Sequence, residues 1–152
     1  NRSTQNSYDA PDASLWMIPV DDKGGPVLLK SANNPNNVTG SYGNSWPKFA
    51  PFVQTYKGRK LMWLTFSSRR DYGLRLVGKG QAQIWMTAID VGRAEMSTDP
   101  SYPAFWLPFQ DIHTGNHIAQ WTAQVVRKPC GIDGNCPTGE TCVKGLCEPK
   151  GN

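Results

Sequence analysis

Two kinds of segment each occur twice in this chain, and this repetition constrains the fold more than any local preference does. The segment LWMIPVD at residues 15–21 resembles IWMTAID at residues 84–90, since both alternate like strands and both end in Asp. The segment WPKFAPF, which begins at Trp46, resembles YPAFWLPF, which begins at Tyr102. Repeated strand-like segments are typical of propellers and β-solenoids, in which neighbouring copies bury a shared core.

The segment LMWLTF at residues 61–66 is apolar apart from one threonine and is followed at once by SSRRD. An apolar run of this length predicts a strand that is covered on both faces. The chain contains 15 Gly and 12 Pro, which favours short strands separated by many turns over helices. The sequence therefore predicts an all-β protein in which layers of sheet pack against one another.

The predicted strands follow a regular order along the chain. Strands are expected at residues 14–20, 27–30, 47–50, 60–66 and 82–89, with a turn at Lys57-Gly58. The later segments YPAFW and NHIAQWTAQVV repeat the two strands at residues 47–50 and 60–66. The chain thus reads as half of a repeating unit, one whole unit and another half.

The whole unit resembles the repeat of the TolB-type β-propeller family. The residues that carry the resemblance are PKFAP, GRKLMWLTFSSRRDYG and QIWMTAID. In that family one blade consists of a Pro-x-Phe-Ser-Pro segment, a Gly-Lys turn, an apolar strand ending in Ser-x-Arg-Asp, and an Ile-Trp strand ending in Asp. Ala50 stands where the family usually has Ser, and the loop at residues 71–81 is longer than in the usual repeat. The resemblance implies about two four-stranded antiparallel blades of a larger propeller.

Three regions are expected along the chain. Residues 1–13 are predicted to be a flexible N-terminal segment, because they are polar and lack an apolar pattern. Residues 14–128 are predicted to form the propeller blades, and residues 129–152 a cysteine-rich tail.

The four cysteines, Cys130, Cys136, Cys142 and Cys147, all lie in this Gly- and Pro-rich tail. A segment with so few apolar residues needs covalent or metal cross-links, and an even number of cysteines predicts two disulfides in an oxidising compartment. A structural zinc ion is the alternative, although the spacing is not typical of one. Four cysteines allow three pairings. The tail also resembles small cysteine-rich tails of secreted proteins with a C-P-x-G-x-x-C and G-x-C pattern, and that resemblance favours pairing the first with the third and the second with the fourth.

Several function classes receive little support from the sequence. The net charge of +4 is spread over scattered Lys and Arg, which argues against a nucleic-acid partner. No apolar stretch is long enough for a membrane helix. His113 and His117 have the i, i+4 spacing of helical zinc ligands, but Gly115-Asn116 between them predicts a turn, so no metal site and no cofactor are expected. Catalytic residues are not expected either, because no Gly-x-Ser-x-Gly segment is present and the cysteines are committed to disulfides.

Four side chains are candidates for a ligand or partner surface. Trp46 and Trp106 flank the repeated Pro-x-Phe segments near loops, and Arg69 and Arg70 follow the apolar strand at its charged turn. A solvated corner is the alternative interpretation of the two arginines. Trp85 lies in the repeated Ile-Trp strand and is expected in the core.

The function expected from these features is that of a non-enzymatic, extracytoplasmic binding or assembly subunit that completes a larger propeller or complex. Two blades alone leave faces and edges uncovered, so a protein partner is expected. An upstream polypeptide is favoured over further copies of the chain, because the sequence does not begin with Met and the tail occurs once. The alternatives are an accessory fragment of a propeller-containing hydrolase and a carbohydrate-binding module.

Overall fold

The computed structural model describes residues 10–20, 24–33, 43–71, 81–122, 128–130 and 136–150. The chain divides into two compact units, Asn1–Thr122 and Ala123–Asn152. Strands dominate the described residues, and the two helices among them are short. The strands are β1 (Trp16–Met17), β2 (Val27–Leu28), β3 (Ser45–Tyr56), β4 (Arg59–Ser68), β5 (Gln83–Asp90), β6 (Phe105–Trp106), β7 (Glu140–Val143) and β8 (Leu146–Pro149); the helices are α1 (Lys30–Asn33) and α2 (Val91–Glu95).

The first unit contains a small hairpin and a larger sheet. Strands β1 and β2 pair antiparallel, with Trp16 opposite Leu28. The larger sheet has four strands in the order β3-β4-β5-β6, and each pair of neighbours is antiparallel. The predicted antiparallel, strand-rich architecture is therefore present, and its central element is a four-stranded meander.

The turn between β3 and β4 has the geometry that the sequence predicts. Tyr56 pairs with Arg59, which leaves a two-residue loop of Lys57 and Gly58 with positive φ angles of 48° and 76°. Two central residues with positive φ form the tight turn whose twist matches that of the adjoining strands, and glycine adopts this conformation without steric cost.

Strand β3 is longer than predicted and lies at the edge of the sheet. It extends through residues 53–56, beyond the strand predicted at residues 47–50. Its pairing with β4 is irregular at two places, and Pro47 and Pro51 lie in those two irregular segments. Proline has no N–H to donate, so it is tolerated where a strand is bulged or at an edge.

The last repeated segments differ from the prediction. YPAFW contributes the two-residue strand β6, which pairs with β5 and so becomes the fourth strand of the same sheet, with Trp106 opposite Trp85. Residues 116–122 were expected to begin another strand, but no strand is assigned to them. Positive φ at Ile118 interrupts an extended conformation in this segment. Residues 123–126 of the same prediction lie outside the described residues.

The core of the first unit lies between the hairpin and one face of the four-stranded sheet. The sheet contributes side chains from three strands, and Leu15, Leu29 and Ala32 cover them from the hairpin and α1. The buried side chains of the sheet are Leu64, Phe66, Trp85, Ile89 and Trp106. Because residues two apart on a strand share a face, this burial defines a core face and leaves the opposite face of the sheet for other contacts.

Helix α2 begins directly after β5 because Asp90 caps it. The Asp90 carboxylate accepts a hydrogen bond from the backbone N–H of Arg93 at 3.2 Å. A side-chain oxygen at this position satisfies an N–H that the first turn of a helix leaves unpaired. The Asp that ends the repeated strand thus turns the chain into a helix.

The second unit is held together by two disulfides. Strands β7 and β8 form a two-stranded antiparallel sheet, and the bonds join Cys130 to Cys142 and Cys136 to Cys147. The favoured pairing of first with third and second with fourth is confirmed. Cys147 is the buried apolar residue among the described residues of this unit, so the disulfides supply the cross-links that a small segment requires.

Candidate functional site

The face of the four-stranded sheet opposite the core is called the open face here. Leu61 and Trp63 of β4 and Ala88 of β5 lie on it, since Leu61 pairs with Asp90 and Trp63 pairs with Ala88. The residues between them on β4 and β5 point to the core. The open face is therefore built from the alternate positions of the same strands that form the core.

A groove of about 750 Å³ runs along the half of the open face nearest the β3–β4 turn. Its volume lies within the ~300–1,000 Å³ range of ligand pockets. The described residues that line it are Gln54, Tyr56, Lys57, Arg59, Leu61, Trp63, Ala88 and Tyr102. Three aromatic rings and two aliphatic side chains thus share the groove with two cations and one amide.

Trp63 is held in a fixed orientation within the groove. Its indole Nε1 donates a hydrogen bond to Oε1 of Gln54 at 2.8 Å. The ring of Phe105 on β6 meets it edge to face, with 6.4 Å between the ring centroids. Strands on both sides of β4 therefore position the indole, and its apolar surface is presented as part of the groove wall.

The charged end of the groove contains a triad of side chains. Nη1 of Arg59 donates to Oη of Tyr102 at 2.9 Å and to Oδ2 of Asp90 at 3.4 Å. The Tyr102 hydroxyl in turn donates to Oδ2 of Asp90 at 3.3 Å. The Asp90 carboxylate is mostly buried, whereas 64% of the Arg59 side chain is exposed.

The hydrogen bonds of this triad shift two pKa values. The hydrogen bond with Tyr102, followed by the electrostatic influence of Tyr102 and Asp90, raises the pKa of Arg59 above its ordinary value. The backbone N–H of Arg93, together with Tyr102 and Arg59, lowers the pKa of Asp90. Both groups are therefore charged near neutral pH, and Asp90 serves as an acceptor for groups of its own chain.

The other half of the open face is covered by Trp121. Its indole Nε1 donates to the carbonyl oxygen of Lys48 at 3.0 Å and to Oγ1 of Thr65 at 3.1 Å. Its ring also meets the ring of Phe52 edge to face at 5.9 Å. The chain thus folds back over the part of the open face far from the β3–β4 turn, and no described residue covers the groove.

The four candidate surface residues divide into two exposed and two buried. Trp46 is 43% exposed and Arg69 is exposed. The assignments of Trp106 and Arg70 to a surface are wrong, because Trp106 is 8% exposed within the core and Arg70 is 6% exposed. Trp106 is buried because β6 joins the same sheet as Trp85. The structure does not bring the four candidate residues together in one site.

Arg70 is a buried structural cation. Its Nη2 donates to the carbonyl oxygen of Ala32 at 2.8 Å and to Oδ1 of Asn44 at 2.9 Å, and its Nε donates to Oγ of Ser68 at 3.0 Å. The guanidinium also lies over the rings of Phe66 and Trp85, about 5 Å from their centroids. The arginine connects the end of α1 to the β4–β5 connection, and this explains its burial.

The histidine pair does not lie on a helix. His113 and His117 are exposed in an irregular segment of turns and bends. Among the described residues, the His, Cys, Asp and Glu ligand atoms that cluster in threes are the sulfurs of Cys130, Cys136 and Cys147. All four cysteines are bonded in disulfides, and a disulfide sulfur is not the thiolate that zinc requires.

Sequence reasoning missed the residues that form the groove. Tyr56 and Arg59 lie outside the strands predicted at residues 47–50 and 60–66, and Tyr102 was assigned to the start of another unit. The signal that was present is the alternation of Arg59, Leu61 and Trp63, which places a cation and two apolar groups on one face of β4.

Comparison with protein families, curated proteins and solved structures finds no match to this chain. Among the described residues, no helix is both long enough and apolar enough to cross a membrane. The two disulfides are typical of an oxidising, extracytoplasmic environment.

Proposed function

We propose that this protein is a non-enzymatic, extracytoplasmic assembly subunit whose four-stranded sheet is one blade of a larger propeller. The observation that carries the proposal is the open face, half of which is an aromatic and aliphatic groove that the described residues leave uncovered. The occupant that we propose is the sheet of a second polypeptide that completes the propeller.

The two faces of the sheet support a partner of this kind. The hairpin and α1 cover the core face with Leu15, Leu29 and Ala32, so a second layer of β structure packs there within the chain. The open face presents similar apolar groups at Leu61 and Ala88, and blades in a propeller are covered on both faces by their neighbours. A meander of four sequential antiparallel strands has the strand order that a blade requires.

The segment that contains Trp121 supports the same partner. Trp121 packs on the open face against Thr65 and covers the half far from the β3–β4 turn. The partner's sheet would then cover the remaining half. The periplasm, the cell surface and the extracellular medium are all compatible with the disulfides, and the proposal extends to each of them.

The test compares two leucines of β4 that lie on opposite faces of the sheet. Leu61 lines the groove, and Leu64 is 1% exposed in the core. Light scattering on the full chain without a partner should show association through the exposed apolar face. Leu61→Glu should suppress that association and keep the unfolding midpoint, whereas Leu64→Glu should unfold the first unit.

Two results would count against the assembly role. The first is a wild-type chain that stays monomeric at high concentration and behaves like Leu61→Glu. The second is a Leu61→Glu variant that associates as strongly as wild type, since association would then use another surface. If the chain forms a discrete ring that Leu61→Glu dissociates, the open face is a packing surface as proposed, but its partner is another copy of this chain rather than a second polypeptide.

A further inference from the structure

We infer that the groove binds an extended protein segment in which an apolar side chain is followed by a carboxylate; this inference rests on the assembly role proposed above. The apolar side chain packs on Leu61, Trp63 and Ala88, and the carboxylate meets Arg59 and Lys57. The inference adds the chemistry of the partner to the location of its binding surface.

Charge is the first reason for an acidic partner. Lys57 and Arg59 are the charged groups among the described residues that line the groove, and no carboxylate is among those residues. Asp90, which lies beside the groove, already accepts hydrogen bonds from Arg59, Tyr102 and Arg93. The described lining therefore carries a net positive charge that a carboxylate complements.

The geometry of Arg59 is the second reason. Its hydrogen bonds to Asp90 and Tyr102 both use Nη1, and the side chain is 64% exposed. The contacts to Asp90 and Tyr102 hold the planar guanidinium at the groove, so its other N–H groups are oriented before a partner arrives. A guanidinium presented in this way is suited to a carboxylate, because two parallel N–H donors match its two oxygens.

The ammonium of Lys57 adds a second cation on the same side. It lies 5.3 Å from the centroid of the Tyr56 ring, in the range of a cation–π contact. Positive φ at Lys57 fixes the turn that carries it. The cationic end of the groove is thus built on a tight turn rather than on a long loop.

The aromatic rings of Tyr56, Trp63 and Tyr102 also raise the possibility of a sugar, but the polar groups of the groove favour protein. A sugar site needs acceptors as well as donors for its hydroxyl groups. The amide oxygen of Gln54 accepts the Trp63 indole, and the Tyr102 hydroxyl is engaged with Arg59 and Asp90. Packing of an apolar side chain against the remaining aromatic and aliphatic surface leaves these pairs intact.

The test measures the binding of three fluorescein-labelled peptides to the full chain by fluorescence anisotropy. The peptides share one extended apolar sequence and differ at one position, which is Glu, Gln or Lys. The Glu peptide should bind about tenfold more tightly than the Lys peptide at low salt, and this ratio should shrink as salt is raised. A polyglucuronate and a neutral oligosaccharide serve as saccharide probes.

Charge-removing variants locate the contact. Arg59→Gln and Lys57→Gln should each lower the affinity for the Glu peptide by about two- to fivefold and leave the affinity for the Gln peptide unchanged. Lys60→Gln is the matched control, since Lys60 is exposed and adjacent to Arg59 but does not line the groove. The unfolding midpoints of Lys57→Gln and Lys60→Gln should coincide with that of wild type, and that of Arg59→Gln should lie close to it, because an exposed ion pair contributes little to stability.

Four outcomes would overturn the inference: equal binding of the Glu and Lys peptides, equal effects of Lys60→Gln and Arg59→Gln, binding of a saccharide alone, or binding of none of the probes. Failure here is separable from failure of the assembly role. If Leu61→Glu suppresses association while the peptides show no charge preference, the open face remains a packing surface and the acidic partner is wrong.

Discussion

Replacement of Arg70 by alanine is expected to lower the free energy of unfolding of the first unit by about 3 to 5 kcal/mol, because several buried acceptors lose their hydrogen-bond donor. The side chain is 6% exposed and donates to Ala32, Asn44 and Ser68. Each acceptor left buried without a partner costs about 1 to 3 kcal/mol. The Ala32 carbonyl and the Asn44 side chain alone thus account for a loss of this size.

Arg70→Lys should recover only part of the stability. A guanidinium is a planar group with several donors, and Arg70 uses them toward α1, toward Asn44 and toward Ser68. A lysine ammonium is a single point and cannot reach all of these acceptors at once. The lysine variant should therefore fall between wild type and alanine.

Urea unfolding followed by tryptophan fluorescence measures these differences, since Trp85 contacts the guanidinium. Arg69→Ala is the matched control, because Arg69 is the adjacent cation and is exposed. It should change the free energy of unfolding by about 0.5 kcal/mol or less. If Arg69→Ala and Arg70→Ala shift the midpoint equally, Arg70 does not hold the first unit together as described.

Three further predictions concern the core, the tail and pH. Trp85→Ala and Trp106→Ala should each lower the free energy of unfolding by about 3 to 5 kcal/mol, because both rings are in the core, whereas Trp46→Ala should lower it far less. A urea midpoint for Trp46→Ala as low as those of the other two variants would contradict the burial. Intact-mass analysis with thiol alkylation should detect no free thiol, and reduction should lower the free energy of unfolding by roughly 3 kcal/mol for each closed loop. Reactive thiols or stoichiometric zinc in the untreated protein would contradict the disulfides. Burial acts to raise the pKa of Asp99, but hydrogen bonds from Ser101 and Ser31 outweigh it and lower that pKa. The stability that Asp99 contributes should therefore be present above pH ~4 and lost as the pH falls through the lower pKa of the native state. A difference in stability between wild type and Asp99→Asn that stays constant across this pH range would contradict the assignment.

The sequence predicts the central strands well because their apolar patterns are strong and local. The turn at Lys57-Gly58 and the strands β4 and β5 lie close to their predicted positions. The turn and these two strands depend on residues near one another in the chain, so pattern and turn chemistry determine them. The pairing of the cysteines agrees with what the resemblance to cysteine-rich tails implies, whereas the residues alone allow three pairings.

The errors concern partners that are distant in sequence. Whether Trp106 is buried depends on which strand β6 pairs with, and YPAFW contains nothing that identifies β5. Arg70 is adjacent to Arg69 in the sequence, and only the positions of Ala32 and Asn44 bring it inside. A local pattern contains no information about these contacts, and the same holds for the groove, whose lining comes from three separated segments.

The two prolines of β3 affect how readily the edge of the sheet can pair with further strands. An edge strand with free N–H and C=O groups is a template on which further strands can grow into fibrils. Pro47 and Pro51 remove two donors from that edge and coincide with the places where β3 departs from regular pairing. Packing of side chains on the open face would be reversible, whereas growth along β3 would be a continuous backbone ladder that these prolines interrupt. The β3 edge of this sheet is therefore a poor template for amyloid.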